Sequence, residues 1–539
     1  MFEFLKSFIS YLFKEVINSI VFIIRKRFYN KMVNTILLLS VALMAPILDA
    51  RTLTGPTHNK VVVCYVATWA NYRNATVKYE MKDFNPDLCT HLVYAFAALD
   101  PTNHTIKPHD AWLDLESPGL KGYKTAVDMK RDYPHLKVTI AIGGWNEGSE
   151  KYSNMSSSPE SRKRFIDSVV AFIDHYKFDG LDLDWEFPSK RGGRPEDKAN
   201  FVALVKELKD AFESKQYLLT AALGAGKDTM DTAYDVAKLS RYLDLIHMMC
   251  YDYHGTWDGV VGANAPLRGT SEDDVLSLEY TIKYMISHGV SPYKLVLGLP
   301  MYGRNFLLKD PDTTEIVFGK TPAQPEGFKG NYIQETGFMG YNEICMDLMN
   351  NTAWKKFWDE KSATPYLRDG DRVVVYDNQR SIALKVKMAV DYGLGGVMVW
   401  SIDTDDTKGV CAEELDALTD IYARFNKMLV DPLVTKAVKS LGSGNKNHNY
   451  KGQYYLIHND KLELRLLTRG NTNYPLMEAI NQAMVISLEE KRIMAEVERI
   501  TNTNVIDKKD KRGDKPGAAS ILSSSAVTLL FCLFFIGKL

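Results

Sequence analysis

The sequence predicts an α/β fold, a (β/α)8 TIM barrel with a small α+β insertion domain between strands 7 and 8. Three observations predict it. Eight short apolar runs recur between Val61 and Ser401, each of strand length. Segments with helical periodicity lie between them, and such alternation implies a parallel sheet covered by helices. A doubly wound open sheet is the structural alternative. No G-x-G-x-x-G follows any strand, which disfavours a dinucleotide-binding version of it.

The strands follow in order. Val61–Val66 is the first, His91–Leu99 the second, and Leu136–Ile142, which runs into Gly143-Gly144-Trp145, the third. Phe178–Glu186, Leu218–Leu223, Leu243–Tyr251, Leu295–Leu299 and Gly396–Ser401 complete the set. Ser158–Tyr176 has a helical pattern, and Ser158-Pro159-Glu160 supplies a start signal. Pro195–Ser214, Glu272–His288 and Asn378–Tyr392 are further helices. The spacing breaks once, where about 70 residues separate the seventh strand from the next helix. That piece, 303–372, carries Phe328, Tyr332, Phe338 and Tyr341 and is the insertion. The barrel is then 51–302 plus 373–425.

The stretch that carries chemistry is Phe178-Asp179-Gly180-Leu181-Asp182-Leu183-Asp184-Trp185-Glu186-Phe187-Pro188. On a strand, Asp182, Asp184 and Glu186 share one face, and Leu181, Leu183 and Trp185 share the other. Successive acids stand roughly 6–7 Å apart. Three ionised carboxylates in a low dielectric repel, so the row is expected to hold at least one proton. A carboxylic acid kept protonated near neutral pH is what general-acid chemistry needs. A solvated strand edge and a Mg²⁺ or Ca²⁺ site are the competing readings. Apolar residues at every second position, with no His or Gly-rich loop beside them, speak against a metal. Asp179 has the wrong parity for the row and is expected to serve the backbone around Gly180.

With 66 Lys and Arg against 67 Asp and Glu, nothing suggests a nucleic-acid partner. The first 50 residues read as targeting sequence. An apolar run with Lys14 and Glu15 precedes Arg25-Lys26-Arg27, and a second, Val33–Leu48, starts after Met32. The second resembles a secretory signal over 32–50. The first 31 residues are either upstream of the true initiator, Met32, or part of a signal anchor. Residues 426–516 read as linker and partly disordered tail, with Leu476–Ile500 compatible with a helix that stands alone. The end, 517–539, has small residues, a Ser-rich spacer and a short apolar run, which fits a glycolipid-anchor signal, with a plain transmembrane tail as the alternative. The expected location is therefore secreted or on the outer face of the plasma membrane, with the membrane touched only through this C-terminal anchor, and the chain a monomer. Sequons at Asn74, Asn103, Asn154 and Asn350 suit export.

Barrel chemistry sits at the C-terminal ends of the strands. Those ends offer Tyr65 with Trp69, then Phe96, then Gly144-Trp145, then Glu186. The sixth offers Met249, Cys250, Tyr251 and Asp252, the seventh leads to Tyr302 and Arg304, and the eighth ends in Met398 and Trp400. Aromatics, acids and an Arg in such a ring suit a polar chain with apolar faces, such as a sugar polymer. Cys250 alternates outward, away from its neighbours Met249 and Tyr251, and reads as a buried thiol.

These segments carry a resemblance. D-G-L-D-L-D-W-E resembles the D-x-x-D-x-D-x-E signature of family 18 glycoside hydrolases, the chitinases and their relatives. C-Y-x-x-x-W, Y-A-F, G-G-W, M-x-Y-D, Y-G-R and M-V-W resemble other segments of that family, over roughly Lys60 to Phe425. The resemblance implies a barrel that hydrolyses β-1,4-linked N-acetylglucosamine chains with substrate assistance and with no metal or cofactor. It implies Glu186 as acid/base, Asp184 as the residue orienting the acetamido group, and Asp182 exchanging a proton or hydrogen bond with Asp184. Tyr251 would donate to the acetamido oxygen, Trp400 would floor the reacting sugar, and Asp252 and Arg304 would meet neighbouring hydroxyls. Tyr65, Trp69, Phe96, Gly144, Trp145, Met249, Tyr302 and Met398 would complete the substrate groove. The resemblance also suggests disulfides Cys64–Cys89 and Cys345–Cys411. Ala141 departs from the family's usual Ser and removes a hydroxyl that could bond the acid row. A catalytically weak chitin-binding lectin and an endo-β-N-acetylglucosaminidase acting on N-glycans are the alternatives.

Overall fold

The computed structural model describes residues 55–73, 76–116, 118–411, 424–425, 427–443, 455–458, 461–464 and 473–510. The expected targeting region, Asn74, Cys532 and the C-terminal anchor signal lie outside them.

Alternation sorts each strand between two cores. In β1 (Val61–Ala67), Val62, Cys64 and Val66 join the large apolar layer under the helices, while Val63 and Tyr65 face the barrel interior. The remaining barrel strands are β2 (His91–Asp100), β3 (Lys137–Gly143), β4 (Gly180–Asp184), β5 (Leu218–Gly224), β6 (Leu245–Met249), β7 (Leu295–Pro300) and β8 (Gly396–Trp400). They pair in parallel in that order, and β8 pairs with β1 to close the ring. A short strand, Thr105–Pro108, adds antiparallel to β2 outside the closed ring. The fold is a TIM barrel.

Local signals set the helices. Ser158 Oγ caps the helix Pro159–Tyr176 by accepting from Ser161 N at 3.2 Å, and Lys177, left-handed at φ 68°, ends it. Asn378 caps Gln379–Asp391 through Ser381 N in the same way. Between β7 and β8 the chain builds a five-stranded antiparallel sheet in the order Phe338–Gly340, Tyr302–Leu307, Arg372–Val375, Thr364–Asp369, Lys355–Asp359. The helix Tyr341–Asn350 accompanies it. Tyr302 follows β7 by two residues, so this sheet brings Tyr302 and Arg304 to the mouth of the barrel.

The C-terminal region corrects one expectation. Residues 475–510 are neither linker nor a helix that stands alone. Pro475–Asp510 is a helix whose Leu476, Met477, Ile480, Ala483, Met484 and Ile493 are buried in the main core beside Gln379–Asp391. Its first N–H groups are held by a buried acid after β8, since Asp405 accepts from Leu476 N at 3.3 Å and Met477 N at 3.0 Å. Asn481 Nδ2 also donates to Leu88 O at 3.1 Å. The apolar period was legible, but its partner face on another helix was not. Among the described residues no helix is long and apolar enough to cross a membrane.

Both disulfides are present, Cys64–Cys89 and Cys345–Cys411, with Cα atoms 6.1 and 5.8 Å apart. The first pins the start of β2 to β1. Cys250 is a buried free thiol, pushed up to about 12 by burial, and it faces the helix layer as its parity requires. Asn103, Asn154 and Asn350 are exposed.

Candidate active site

The acid row runs up the inside of β4. Leu181, Leu183 and Trp185 pack outward into the main core, so Asp182 and Asp184 point inward, and Glu186 stands just past the strand end. Trp185 is anchored by donating from Nε1 to Ser149 Oγ at 2.6 Å. Strand pairing forces glycine opposite the row. A Cβ on Gly143, at φ 122°, would lie 2.0 Å from the carbonyl oxygen of Asp184.

Asp182 is fully buried and has three polar neighbours. Tyr65 Oη donates to Oδ2 at 2.7 Å, Thr220 Oγ1 donates to Oδ1 at 2.6 Å, and His247 Nδ1 lies 3.1 Å from Oδ1. Tyr65 Oη also lies 2.8 Å from His247 Nδ1. These groups come from β1, β5 and β6, whose inward residues meet only in the closed ring. Both oxygens of Asp182 thus accept hydrogen bonds from neighbouring strands. Tyr65 is therefore a buried partner of the row.

Burial raises Asp184 well above the usual carboxylate range, and the charges of Glu186 and Asp182 add to it. Its Oδ1 is buried without a hydrogen-bond partner. Ala141, in register with Asp182 on β3, lines the interior without a hydroxyl. Glu186 is pushed up to about 7, chiefly by burial, with Arg191 lowering it and Asp252 raising it. The row thus holds a protonatable acid at its open end, kept so chiefly by burial. Asp179 serves the backbone beside Gly180, as expected, by accepting from Val138 N of the neighbouring β3 at 2.7 Å.

An aromatic wall stands at the mouth. Trp400 lies 5.8 Å from Phe96, 6.0 Å from Trp69 and 5.7 Å from Tyr65, ring centre to ring centre. Trp69 stacks on Phe96 at 6.1 Å and is 44% exposed. Gly144, at φ 87°, lets Phe96 approach, since a Cβ there would meet its ring at 2.8 Å. Trp145 projects further and is 58% exposed. Asp252 takes a left-handed backbone at φ 57° and is held by its N–H to Asn264 Oδ1 at 2.9 Å. Its carboxylate accepts from Tyr302 Oη at 2.8 Å and from Arg304 Nε at 2.8 Å. Tyr251 Oη approaches Met398 Sδ at 3.8 Å, and Met249 packs against the interior cluster. Tyr65, Phe96, Gly144, Tyr302 and Met398 are buried, so these expected groove residues act from behind the surface. Trp69, Trp145, Trp400, Tyr251, Asp252, Glu186 and Arg304 reach solvent.

Some residues of the site were not read from the sequence. His247 and Thr220 had a signal, because they share strand parity with Met249 and Tyr251 or with Ala222. Trp257, 59% exposed with the Arg304 guanidinium 5.3 Å from its ring, had none. The same holds for Arg191.

Comparison with known proteins agrees with this geometry. Residues 61–405 match the model of the glycosyl hydrolases family 18. The chain is 44% identical to a probable chitinase 2 of Drosophila melanogaster over 494 residues, covering 89% of this chain and 92% of that protein. It is similar to the crystal structure of the Ostrinia furnacalis Group IV chitinase in complex with allosamidin, at 38% identity and a TM-score of 0.63, over 68% of this chain and 99% of that one. It is also similar to human YKL-39, described as a pseudo-chitinase with retained chitooligosaccharide binding, at 28% identity and a TM-score of 0.61, over 79% of this chain and 100% of that one. With more than half its length matched, and with the acid row inside a closed barrel, the chain belongs to glycosyl hydrolase family 18.

Proposed function

We propose that the protein is a chitinase that hydrolyses β-1,4 linkages inside N-acetylglucosamine polymers by substrate-assisted, retaining catalysis. One observation carries this reading: Glu186, the last acid of the row, sits at the barrel mouth with its carboxyl pushed up to about 7, beside an exposed aromatic groove. The substrate's acetamido oxygen attacks the anomeric carbon while the Glu186 carboxyl gives its proton to the leaving oxygen. The product of that step is an oxazolinium-like intermediate. Glu186, now a carboxylate, takes a proton from the water that opens it. Asp184, one step deeper and also protonatable, orients the acetamido group, and Tyr251 donates to its oxygen. Tyr65, Thr220 and His247 hold Asp182 in place beneath them. Trp400 floors the reacting sugar.

The likeness to a pseudo-chitinase that retains chitooligosaccharide binding makes a lectin the second reading. Glu186 favours hydrolysis over it. Turnover of N-acetylglucosamine oligomers of increasing length tests the proposal. Rates should rise with length as the chain reaches Trp69 and Trp145. Binding without turnover would mean the lectin, and cleavage confined to N-glycan cores would mean an endo-β-N-acetylglucosaminidase.

The pH profile follows from the acid. Glu186 must be protonated to act, and its folded pKa is raised, so the active form is full below about pH 7 and is lost as pH rises through that value. The alkaline limb of kcat/KM should therefore fall near pH 7, well above the range of an ordinary carboxyl. A limb near pH 4.5 would remove Glu186 from the acid role.

A further inference from the structure

Arg191 lies in the Ser-Lys-Arg-Gly-Gly turn after the acid row, with a left-handed backbone at φ 50°. Its guanidinium carbon stands 3.5 Å from the centre of the Trp145 ring. That distance is a close cation–π contact of guanidinium with indole. The N–H groups at the rim of the same plane are used as well. Nη1 donates to the carbonyl of Glu186 at 2.9 Å, and Nη2 donates to the carbonyl of Trp145 at 2.9 Å. Arg's planar fork suits it to contact a ring face and donate to two carbonyls at once. One side chain thus ties the end of β3 to the end of β4. Trp145 remains 58% exposed, so its indole still has surface open to a sugar.

We propose that Arg191 is a positioning residue of the reaction. It clamps the Trp145 platform to the backbone of Glu186, so that a sugar resting on Trp145 is presented to the acid at a fixed distance. This rests on the proposed function. The clamp also places a permanent positive charge beside the acid. The other groups facing Glu186 are Asp184 from its own strand, Tyr234 from the connection after β5, and Tyr251 and Asp252 beyond β6. Arg191 is the cation that offsets burial and Asp252 there.

The test compares wild type, Arg191→Gln, Arg191→Lys and Trp145→Ala, alone and combined, on acetylated oligomers. Binding is read by tryptophan fluorescence and turnover by product release. Arg191→Gln should raise KM about two- to thirtyfold, the range of a stacked cation, with a smaller change in kcat. It should also move the alkaline limb to higher pH, because a charge that favours ionised Glu186 is gone. Arg191→Lys should restore the limb but not KM, since it returns the charge without the flat fork. In the Trp145→Ala background, Arg191→Gln should leave KM unchanged and still shift the limb. An unchanged KM in Arg191→Gln, or an equal rise with and without Trp145, overturns this inference while wild-type turnover upholds the proposed function. A wild type that neither binds nor cuts the oligomers overturns both.

Discussion

Glu186→Gln should abolish most turnover and leave binding in place. Gln matches the size and polarity of Glu but has no proton to give, and general acid–base help is worth roughly 10²–10⁴-fold. The loss should reach at least that range, because one carboxyl serves first as acid and then as base. Affinity for oligomers should survive, since the contact surface is supplied by Trp69, Trp145 and Trp400, none of which touches the altered group through a hydrogen bond. Measured together, a collapsed kcat with a retained dissociation constant identifies a group that acts in the transition state. Full activity in Glu186→Gln would defeat the whole assignment.

The second large effect is expected from the substrate. If the acetamido oxygen is the nucleophile, an oligomer with a free amine on the sugar at the cleavage site should resist the wild-type enzyme. Asp184→Asn should imitate that loss from the protein side. Asp184 is buried and raised by burial and by both neighbouring acids, so at neutral pH it can hold a proton toward an acetamido group and share it with the row. An amide there cannot exchange that proton, and turnover should fall by a factor comparable to that for Glu186→Gln. The discriminating comparison is the rate on the two oligomers. Equal cleavage of the deacetylated and acetylated chains would rule out substrate assistance and leave a different nucleophile to be found.

Much of this protein is determined by short-range pattern. A period of two places Asp182, Asp184 and Glu186 on one face wherever that strand lies, and no tertiary information is needed to see that they face away from Leu181, Leu183 and Trp185. The same parity turned Cys250 outward and Met249 and Tyr251 inward. The cap at Ser158 marked a helix start because a capping side chain bonds within its own turn. Eight strand–helix alternations then left the barrel as the favoured fold.

What the tertiary structure decided is which of these faces meet. Tyr65, Thr220 and His247 come from three strands, and only closure of the ring brings their polar atoms to the two oxygens of Asp182. That closure also buries Tyr65 beneath the row. The helix Pro475–Asp510 looked unpartnered in the sequence because its apolar face is complemented by residues about 100 positions earlier, and its first N–H groups by Asp405. Arg191 and Trp145 are 46 residues apart and share no periodicity. Pattern records which way a side chain points within its own element, whereas the partner across a gap in sequence is set by packing, and packing is a property of the closed barrel.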